Sequence, residues 1–588
     1  MGDGTGSEAM EQGARLAAAA GVPAVVGRIL WARGYRDAAA VQRFLEPKLD
    51  QLPDPFGLKG IEPAVARLQL ALAQKEAICV YGDYDVDGVT STALLVSVLR
   101  KLGGVVDFYV PQRLIEGYGL NTQAMEKLAA RGTRLVVSAD CGVTAVAEVD
   151  AAARLGMEVV VIDHHTASQH LPRAVAILNP HQPGCTFPGR ELAAVGVAFH
   201  LLLALRKRLR EAGWFSNGQR LEPNLREQLD LVALGTIADV VPLTGPNRIL
   251  VHFGLKELAR GARPGVLALK SVAQLAGEIT AGDVGFKLGP RINAAGRLDD
   301  ASVGVRLLLT EDLREARALA EQLDRANAER QELQARIVTE AIDMAALLGT
   351  PEQRRSLVVS SIGWHAGVVG IVAARLVEKF HRPALVLAEE DGVARGSGRS
   401  VEGFHLYDAL SRCSRHLTRF GGHKHAAGVT LDTSNIAAFS EALESEARDK
   451  LDPAQLSPRL RIDAELSPAE IGMRLAEQLR RLAPFGAGNP EPVFVCSGLT
   501  AHEVRLLPDK KGTGPGHLKL RLGESRGPGI ADVNGPEFDN GPEFDAIGFS
   551  LGGTALPVGA RLEAAFQLSV DTWNGAERLQ LKLKDLKV

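Results

Sequence analysis

Four places in the chain hold residues able to do chemistry together. The segment Gly82-Asp83-Tyr84-Asp85-Val86-Asp87-Gly88 sets three carboxylates within five residues, directly after the apolar run Ala77-Ile78-Cys79-Val80-Tyr81. Carboxylates this close repel one another unless something neutralises them. One aspartate can simply cap the following helix from a solvated turn. Alternatively, the oxygens hold a divalent cation, and carboxylates suit Mg²⁺ or Mn²⁺. A second apolar run, Arg134 to Ser138, ends at Ala139-Asp140-Cys141-Gly142, and a third, Met157 to Ile162, ends at Asp163-His164-His165. One acid at a strand end is commonplace, and a histidine pair alone is more often structural. Acids after three successive runs, the last with histidines, favour a metal centre. Asp163 would then orient an imidazole while His164 binds metal. The fourth place is Asp239, where the apolar run from Leu229 stops at one carboxylate. Buried, it would need a cation or hydrogen bonds; otherwise it is a loop acid at a helix end.

The surrounding pattern says what must position these groups. Between about 76 and 165, short β-rich runs alternate with helical patterns, including Leu94–Leu102 and Asn121–Ala130, which predicts βαβ units and a parallel sheet. Ligands of such sheets bind beyond the carboxyl ends of the strands, where the acids fall. Glu311 to Leu347 lacks Gly and Pro and predicts one helix of roughly 55 Å bridging domains. SLVVSS, a helix over Val368–Phe380 and PALVLAEE restart an α/β pattern to about 450. Beyond 455, LRIDAEL, PVFVCSG, HLKLRLG and RLQLKLKDL alternate apolar with polar residues, predicting a mostly β, barrel-like segment. The expected fold class is therefore α/β: a parallel-sheet domain joined by a long helix to a smaller α/β domain, with a C-terminal β-barrel. The expected bounds are a helical lead over 1–70, a catalytic domain over 71–310, the helix over 311–347, a second domain over 348–452 and the β domain over 453–588. GPEFD, at 535–539 and again at 541–545, reads as an exposed loop insertion.

At 588 residues the chain needs several domains. Hydrophobic residues at 46%, charged residues at 23% and a mean hydropathy of +0.02 exclude disordered and membrane-embedded classes. Lys+Arg at 67 nearly balance Asp+Glu at 70, so a nucleic-acid partner would need a local basic groove. The five cysteines form no C-x-x-C pair, which excludes a cysteine-rich zinc site and suits a reducing compartment, the cytoplasm. The N-terminus has no basic start followed by an apolar core, and no segment offers about 18 uncharged apolar residues. The apolar run Val195–Leu205 ends in Arg206, Lys207, Arg208 and Arg210, which reads as the solvated end of a buried helix rather than a DNA-binding stripe.

Asp85-Val86-Asp87-Gly88, Asp140, Asp163-His164-His165 and Asp239, in that order, resemble the four motifs of the DHH phosphoesterase superfamily, and within it the RecJ exonucleases. The resemblance extends to the lead LWARGYRDAAAVQRFLEPKLDQLPDPF, RINAAGR at 291–297, LDRANAERQ at 323–331, SGRS at 397–400, GGHKHAAG at 421–428 and the C-terminal β domain. It implies a DHH domain, a DHHA1 domain and an oligonucleotide-binding barrel. It also implies stepwise hydrolysis of single-stranded DNA from the 5′ end in repair and recombination, with two Mn²⁺ or Mg²⁺ ions per site. Asp85, Asp87, Asp140, His164 and Asp239 would be metal ligands, with Asp140 and Asp239 bridging, Asp83 auxiliary, and His165 both catalytic and phosphate-contacting. Many relatives carry a histidine four residues before the first motif aspartate, where this chain has Tyr81; Asp83 or water would fill the gap. Phosphate-binding roles fall on Arg113 and Tyr118, on Arg291, Asn293 and Arg297, on Ser397 and Arg399, and on His423. Arginine forks and Gly-flanked loops suit phosphate oxygens. For Arg113, Arg291 and His423, the plain reading is a salt bridge or a satisfied core group.

Two ions can activate a water for in-line attack and stabilise the leaving oxygen, so no protein nucleophile is required. No Ser-His-Asp pattern or P-loop competes, because GVVG and GSG lack the context. Trp573 is either a stacking platform for single strands or a core residue. Expected partners, by resemblance, are single-stranded DNA, a single-stranded-DNA-binding protein and a helicase; the default state is a monomer. The rival readings are another DHH enzyme, such as an oligoribonuclease, cyclic-dinucleotide hydrolase or pyrophosphatase, and a catalytically silent DNA-binding scaffold.

Overall fold

The computed structural model describes residues 3–112, 116–216, 220–298, 300–509, 516–524, 542–573 and 576–588. Two compact units emerge: Pro53–Val241 with Phe253–Arg459, and Met1–Leu52 with Pro242–His252 and Leu460–Val588.

In the first unit, β1 (Ala77–Gly82), β2 (Val105–Tyr109), β3 (Leu135–Ala139), β4 (Glu158–Ile162) and β5 (Ala176–Leu178) form a parallel sheet in the order β2-β1-β3-β4-β5. The inner strands are unbroken apolar runs because both faces are covered. Val80, Val137 and Val160 stand in register across three of them, all fully buried. This order reverses the winding between β1 and β3, so their carboxyl ends flank a crevice. Helix α1 (Val86–Lys101) leaves β1, and the near-continuous burial of its first eleven residues anchors it. Helix α2 (Ala194–Glu211) is buried through Leu205 except for a half-buried Leu203. Its basic end is ion-paired, Arg208 with Glu62 and both Arg206 and Arg210 with Glu222, as expected of a solvated helix end. Helix α3 (Leu229–Ala238) is buried on all sides from Leu229 to Ile237 and packs against α1 and α2.

A five-residue π-turn, Val284–Leu288, runs into α4 (Gly289–Leu298). The long helix α5 (Leu313–Leu347) starts on an Asp312 cap and packs against α4 and against α6 (Val369–Phe380). Strands β6 (Leu357–Ile362), β7 (Ala384–Glu390), β8 (Val393–Arg399), β9 (Arg419–Gly422) and β10 (Ala426–Asp432) form a mixed sheet in the order β6-β7-β8-β10-β9, parallel only between β6 and β7.

In the second unit, β11 (Ala464–Glu465), β12 (Phe494–Leu507), β13 (His517–Glu524), β14 (Glu543–Gly548), β15 (Arg561–Trp573) and β16 (Ala576–Lys587) make the C-terminal β structure. Pairing of β12 with β15 closes β12-β13-β14-β16-β15 into a five-stranded barrel. Strand alternation holds: Leu518, Leu520 and Leu522 point inward, with Lys519 and Arg521 outward. Two expectations need correction. LRIDAEL shrinks to the two-residue β11, because Leu460 and Ile462 stay exposed and bury nothing that would hold a strand. The second GPEFD copy is not loop: Glu543, Phe544 and Asp545 begin β14, with Phe544 buried opposite Leu522. The first copy lies outside the described residues, as does the Trp573 side chain.

Lead helices 3–20, 24–32 and 38–45 share one apolar core with the barrel, where Val26, Ile29, Leu30 and Val41 join Phe494 and Phe566. Among the described residues, no single helix is long and apolar enough to cross a membrane. Arg248 ties the unit together. Its buried guanidinium donates to Phe44 O (2.9 Å), Leu482 O (2.8 Å) and Arg481 O (3.1 Å) and lies 3.7 Å over the Phe44 ring. Arg248→Met would leave three carbonyls short of a charged donor, at about 2–4 kcal/mol. Hydrogen exchange should show helix 473–480 and the barrel strands exchanging at least tenfold faster, with β1, β3 and β4 unchanged.

Candidate metal centre

The turn after β1 is built by backbone constraints that the acids exploit. Asp85 caps α1, its Oδ1 accepting from Gly88 N (3.1 Å), so the helix-cap reading is also true. Asp87 is buried, and its two oxygens accept from Ala194 N (2.7 Å) and Val195 N (2.9 Å), the orphan donors at the start of α2. Val86 N donates to Asn293 Oδ1 (3.1 Å), which fixes the turn from α4. A Cβ on Gly296 would lie 2.4 Å from Tyr84 O, so only glycine lets α4 approach this closely.

Asp140 follows β3 with φ +68°, a left-handed conformation that strains a side-chain-bearing residue and turns its carboxylate toward the crevice. Its carbonyl accepts from the Tyr118 hydroxyl (3.0 Å). After β4, Asp163 Oδ1 accepts from His164 N (2.8 Å), His165 N (3.0 Å) and His165 Nδ1 (2.8 Å), and Oδ2 from Val143 N (2.9 Å). The imidazole that Asp163 orients is thus His165, whereas for His164 it accepts only from the backbone amide, and the His164 ring packs against that of His165 at 4.6 Å. Asp239 ends α3 as its C-cap residue. Its carboxylate reaches the cluster because α3 lies close on α1: a Cβ on Gly235 would meet Thr90 Oγ1 at 2.4 Å.

Three atoms converge. His164 Nε2 lies 3.2 Å from Asp140 Oδ1, 3.5 Å from Asp239 Oδ2 and 3.9 Å from Asp87 Oδ2. Despite these approaches, His164 Nε2, Asp140 Oδ1 and Asp239 Oδ2 are buried without an aligned hydrogen-bond partner. Among the described residues, three overlapping donor groups have their ligand atoms within 4.8 Å of one another: Asp83 with Asp85 and Asp140, Asp87 with His164 and Asp239, and Asp140 with His164 and His165. Burial and mutual repulsion shift these groups strongly. Burial, then Asp85, pushes Asp87 to about 7; burial, then Asp87 and Asp85, pushes Asp239 to about 9 and raises Asp140 too. Burial, then His165, pulls His164 down to about 4, leaving a neutral imidazole suited to ligation. Burial would lower His165 as well, but the bond to Asp163 overrides it and lifts it to about 9. Hard oxygen donors, one neutral imidazole and orphaned inward atoms fit divalent cations.

Tyr81 is fully buried, donating to Gly119 O (3.1 Å) and accepting from Asn121 Nδ2 (3.1 Å), so it braces the Tyr118 loop, while Asp83 groups with Asp85 and Asp140. Among the phosphate-binding candidates, the structure gathers Tyr118, His165 and His423: the Tyr118 hydroxyl is 3.2 Å from His165 Nδ1, and the His423 ring stacks on His165 at 6.3 Å. Arg399 donates to Ser397 Oγ (3.0 Å), beside Gly370 at the start of α6. Arg297 donates to Gly367 O (3.0 Å). Arg291 is engaged in the plain salt bridge, with Asp324 (2.8 Å), and also donates to Lys287 O. Arg113 lies outside the described residues. Sequence reading missed Asn179, buried and donating to His165 O (2.9 Å), and His365, whose Nδ1 accepts from Gly367 N (3.1 Å). Asn179 gave no signal, whereas His365 sits in a glycine-rich strand-to-helix loop considered only as a phosphate loop.

Acids and a histidine at the carboxyl ends of a 2-1-3-4-5 parallel sheet, followed in the same compact unit by a second, mixed sheet, define a phosphoesterase of the DHH class. Family models described as "DHH family, N-terminal domain", "DHHA1 domain" and "RecJ OB domain" match residues 77–236, 354–449 and 462–585. The chain belongs to the RecJ family of single-stranded-DNA-specific exonucleases. It is 41% identical to the RecJ exonuclease of Dickeya dadantii (strain 3937) and 40% identical to that of Escherichia coli (strain K12), in each case over 96% of both chains. It is also similar to the crystal structures of RecJ from Thermus thermophilus in complex with Mn²⁺ (TM-score 0.80, 33% identity, 98% of this chain and 78% of that one) and with Mg²⁺ (0.75, 32%, 98% and 77%).

Removing one carboxylate should separate stability from metal binding. A carboxyl with a raised folded-state pKa weakens the fold above its unfolded value near 4, because folding there must take up a proton or bury a charge. Asp140→Asn should therefore melt higher than wild type in EDTA at pH 7.5. Wild type should gain about 2.7 kcal/mol from Mn²⁺ at a hundredfold excess over its Kd, and the variant should gain almost none.

Proposed function

We propose that the protein is a metal-dependent exonuclease that hydrolyses single-stranded DNA from its 5′ end. The observation that carries this is the buried carboxylate–histidine cluster, with three inward atoms lacking aligned partners, in a chain of this family. Asp83, Asp85 and Asp140 would hold one divalent ion, Asp87, His164 and Asp239 the other, with Asp140 near enough to serve both. Bound Mn²⁺ or Mg²⁺ supplies Lewis acidity and charge neutralisation at the phosphodiester. The chain's own groups bind and orient the strand. His165, fixed by Asp163, and Tyr118 border the cluster, His423 extends that border, and Arg399 with Ser397 offers donors to a terminal phosphate. Arg291 and Asn293 act as positioning residues, through Asp324 and the Val86 amide.

By the same reading, 71–310 is the catalytic domain, 311–347 the connector, 348–452 the substrate-binding domain, and 453–588 a barrel that holds single strands, with 1–70 as its helical lead. The protein acts in the cytoplasm in repair and recombination, as a monomer, beside a single-stranded-DNA-binding protein and a helicase that exposes 5′ ends. Resemblance to relatives supports these assignments.

Oligonucleotides labelled at the 3′ end, with 5′ phosphate, 5′ hydroxyl or duplex ends, test the proposal. In Mn²⁺ the single strands should shorten progressively from the 5′ end, while EDTA or Asp140→Asn should lower the rate at least a thousandfold. Cleavage confined to short oligoribonucleotides would replace the substrate assignment, and loss of all phosphoester cleavage would favour a scaffold.

A further inference from the structure

Phe286 is 86% exposed, an unusual state for a phenylalanine in an ordered helical segment. It occupies the middle of the π-turn Val284–Leu288, whose end residues are fully buried. The irregular turn lifts this one side chain outward while its neighbours hold the backbone in place; single π-turns of this kind recur at functional sites. The turn also stands beside the metal centre. A Cβ on Gly285 would lie 4.0 Å from Ile237, and one on Gly289 would lie 3.4 Å from Ala238 and 4.0 Å from Val86. These contacts are with the two residues that precede Asp239 and with the residue between Asp85 and Asp87. Val240, next after Asp239, is likewise exposed and held at φ +61°, a conformation rare for a β-branched residue. The ring's cationic neighbours Lys287 and Arg291 are engaged with Asp283 and Asp324, which leaves an aromatic face rather than a charge to meet a ligand here.

We propose that Phe286 is a stacking platform for a nucleobase of the strand whose phosphodiester lies at the carboxylate cluster. The inference rests on the exonuclease reading and extends it: the base beside the reacting link is gripped by its π-face, which every base offers, so the grip is tolerant of sequence. Phe286 is thus a positioning residue, and it explains why an apolar ring is kept in water beside a cluster of acids.

The test is a cycle between protein and DNA, in the full chain. Phe286→Ala should melt like wild type, since the ring buries little. It should weaken binding of single-stranded oligonucleotides, read by fluorescence anisotropy in EDTA, and raise KM in Mn²⁺, each on the order of tenfold. Phe286→Trp should restore both, whereas Phe286→Leu, apolar but without a π-face, should not. In a series of oligonucleotides with one abasic nucleotide moved along the strand, one position should cost wild type the same factor and cost Phe286→Ala nothing further. Binding and KM unchanged in Phe286→Ala, or an abasic loss that adds in full to the variant's, would overturn the proposal. If wild type cuts no single-stranded DNA, the exonuclease reading fails separately, and the anisotropy cycle still decides the stacking role.

Discussion

Five aspartates crowd into one crevice, and the interior offers them few compensating charges. Asp87 and Asp140 are almost fully buried, and Asp87 raises the pKa of both Asp140 and Asp239. A protein tolerates such crowding only where cations, protons or hydrogen-bond donors share the charge. The donors present are already committed: two α2 amides to Asp87, the Gly88 amide to Asp85, and four donors to Asp163. The inward atoms of Asp140, Asp239 and His164 have none. Divalent cations resolve the conflict, and much of the first unit serves to hold the conflict in place.

That service explains features otherwise unconnected. The parallel sheet brings three strand ends to one edge, α2 presents its N-terminus to Asp87, and α3, packed against both α1 and α2, delivers Asp239. α4 locks the first turn through Asn293 and Gly296. The left-handed backbone at Asp140 is strain held by its surroundings.

Much of this was legible in the sequence. The inner strands are long β-branched runs, and in a parallel sheet the residues after such runs must share one edge, so Asp83 to Asp87, Asp140 and Asp163 to His165 could be placed together. Asp239 could not be placed from pattern alone, because its position depends on α3 packing against α1. Asn179, the Pro242–His252 segment and the engagements of Arg291 and Asn293 are tertiary hydrogen bonds without periodicity, invisible to pattern reading. The second GPEFD copy was misread because repetition and its Gly and Pro outweighed an alternation too short to register. The exposure of Phe286 gives no sequence signal, since a phenylalanine two residues from Val284 and from Leu288 reads as core.

The central claim, that the acidic cluster is folded around two divalent ions, is tested most directly by anomalous diffraction at the manganese edge from crystals of the full chain grown with Mn²⁺. The account predicts two peaks, one within ligand distance of Asp83, Asp85 and Asp140 and the other of Asp87, His164 and Asp239. No peak in the crevice, or a single ion bound outside both groups, would contradict it.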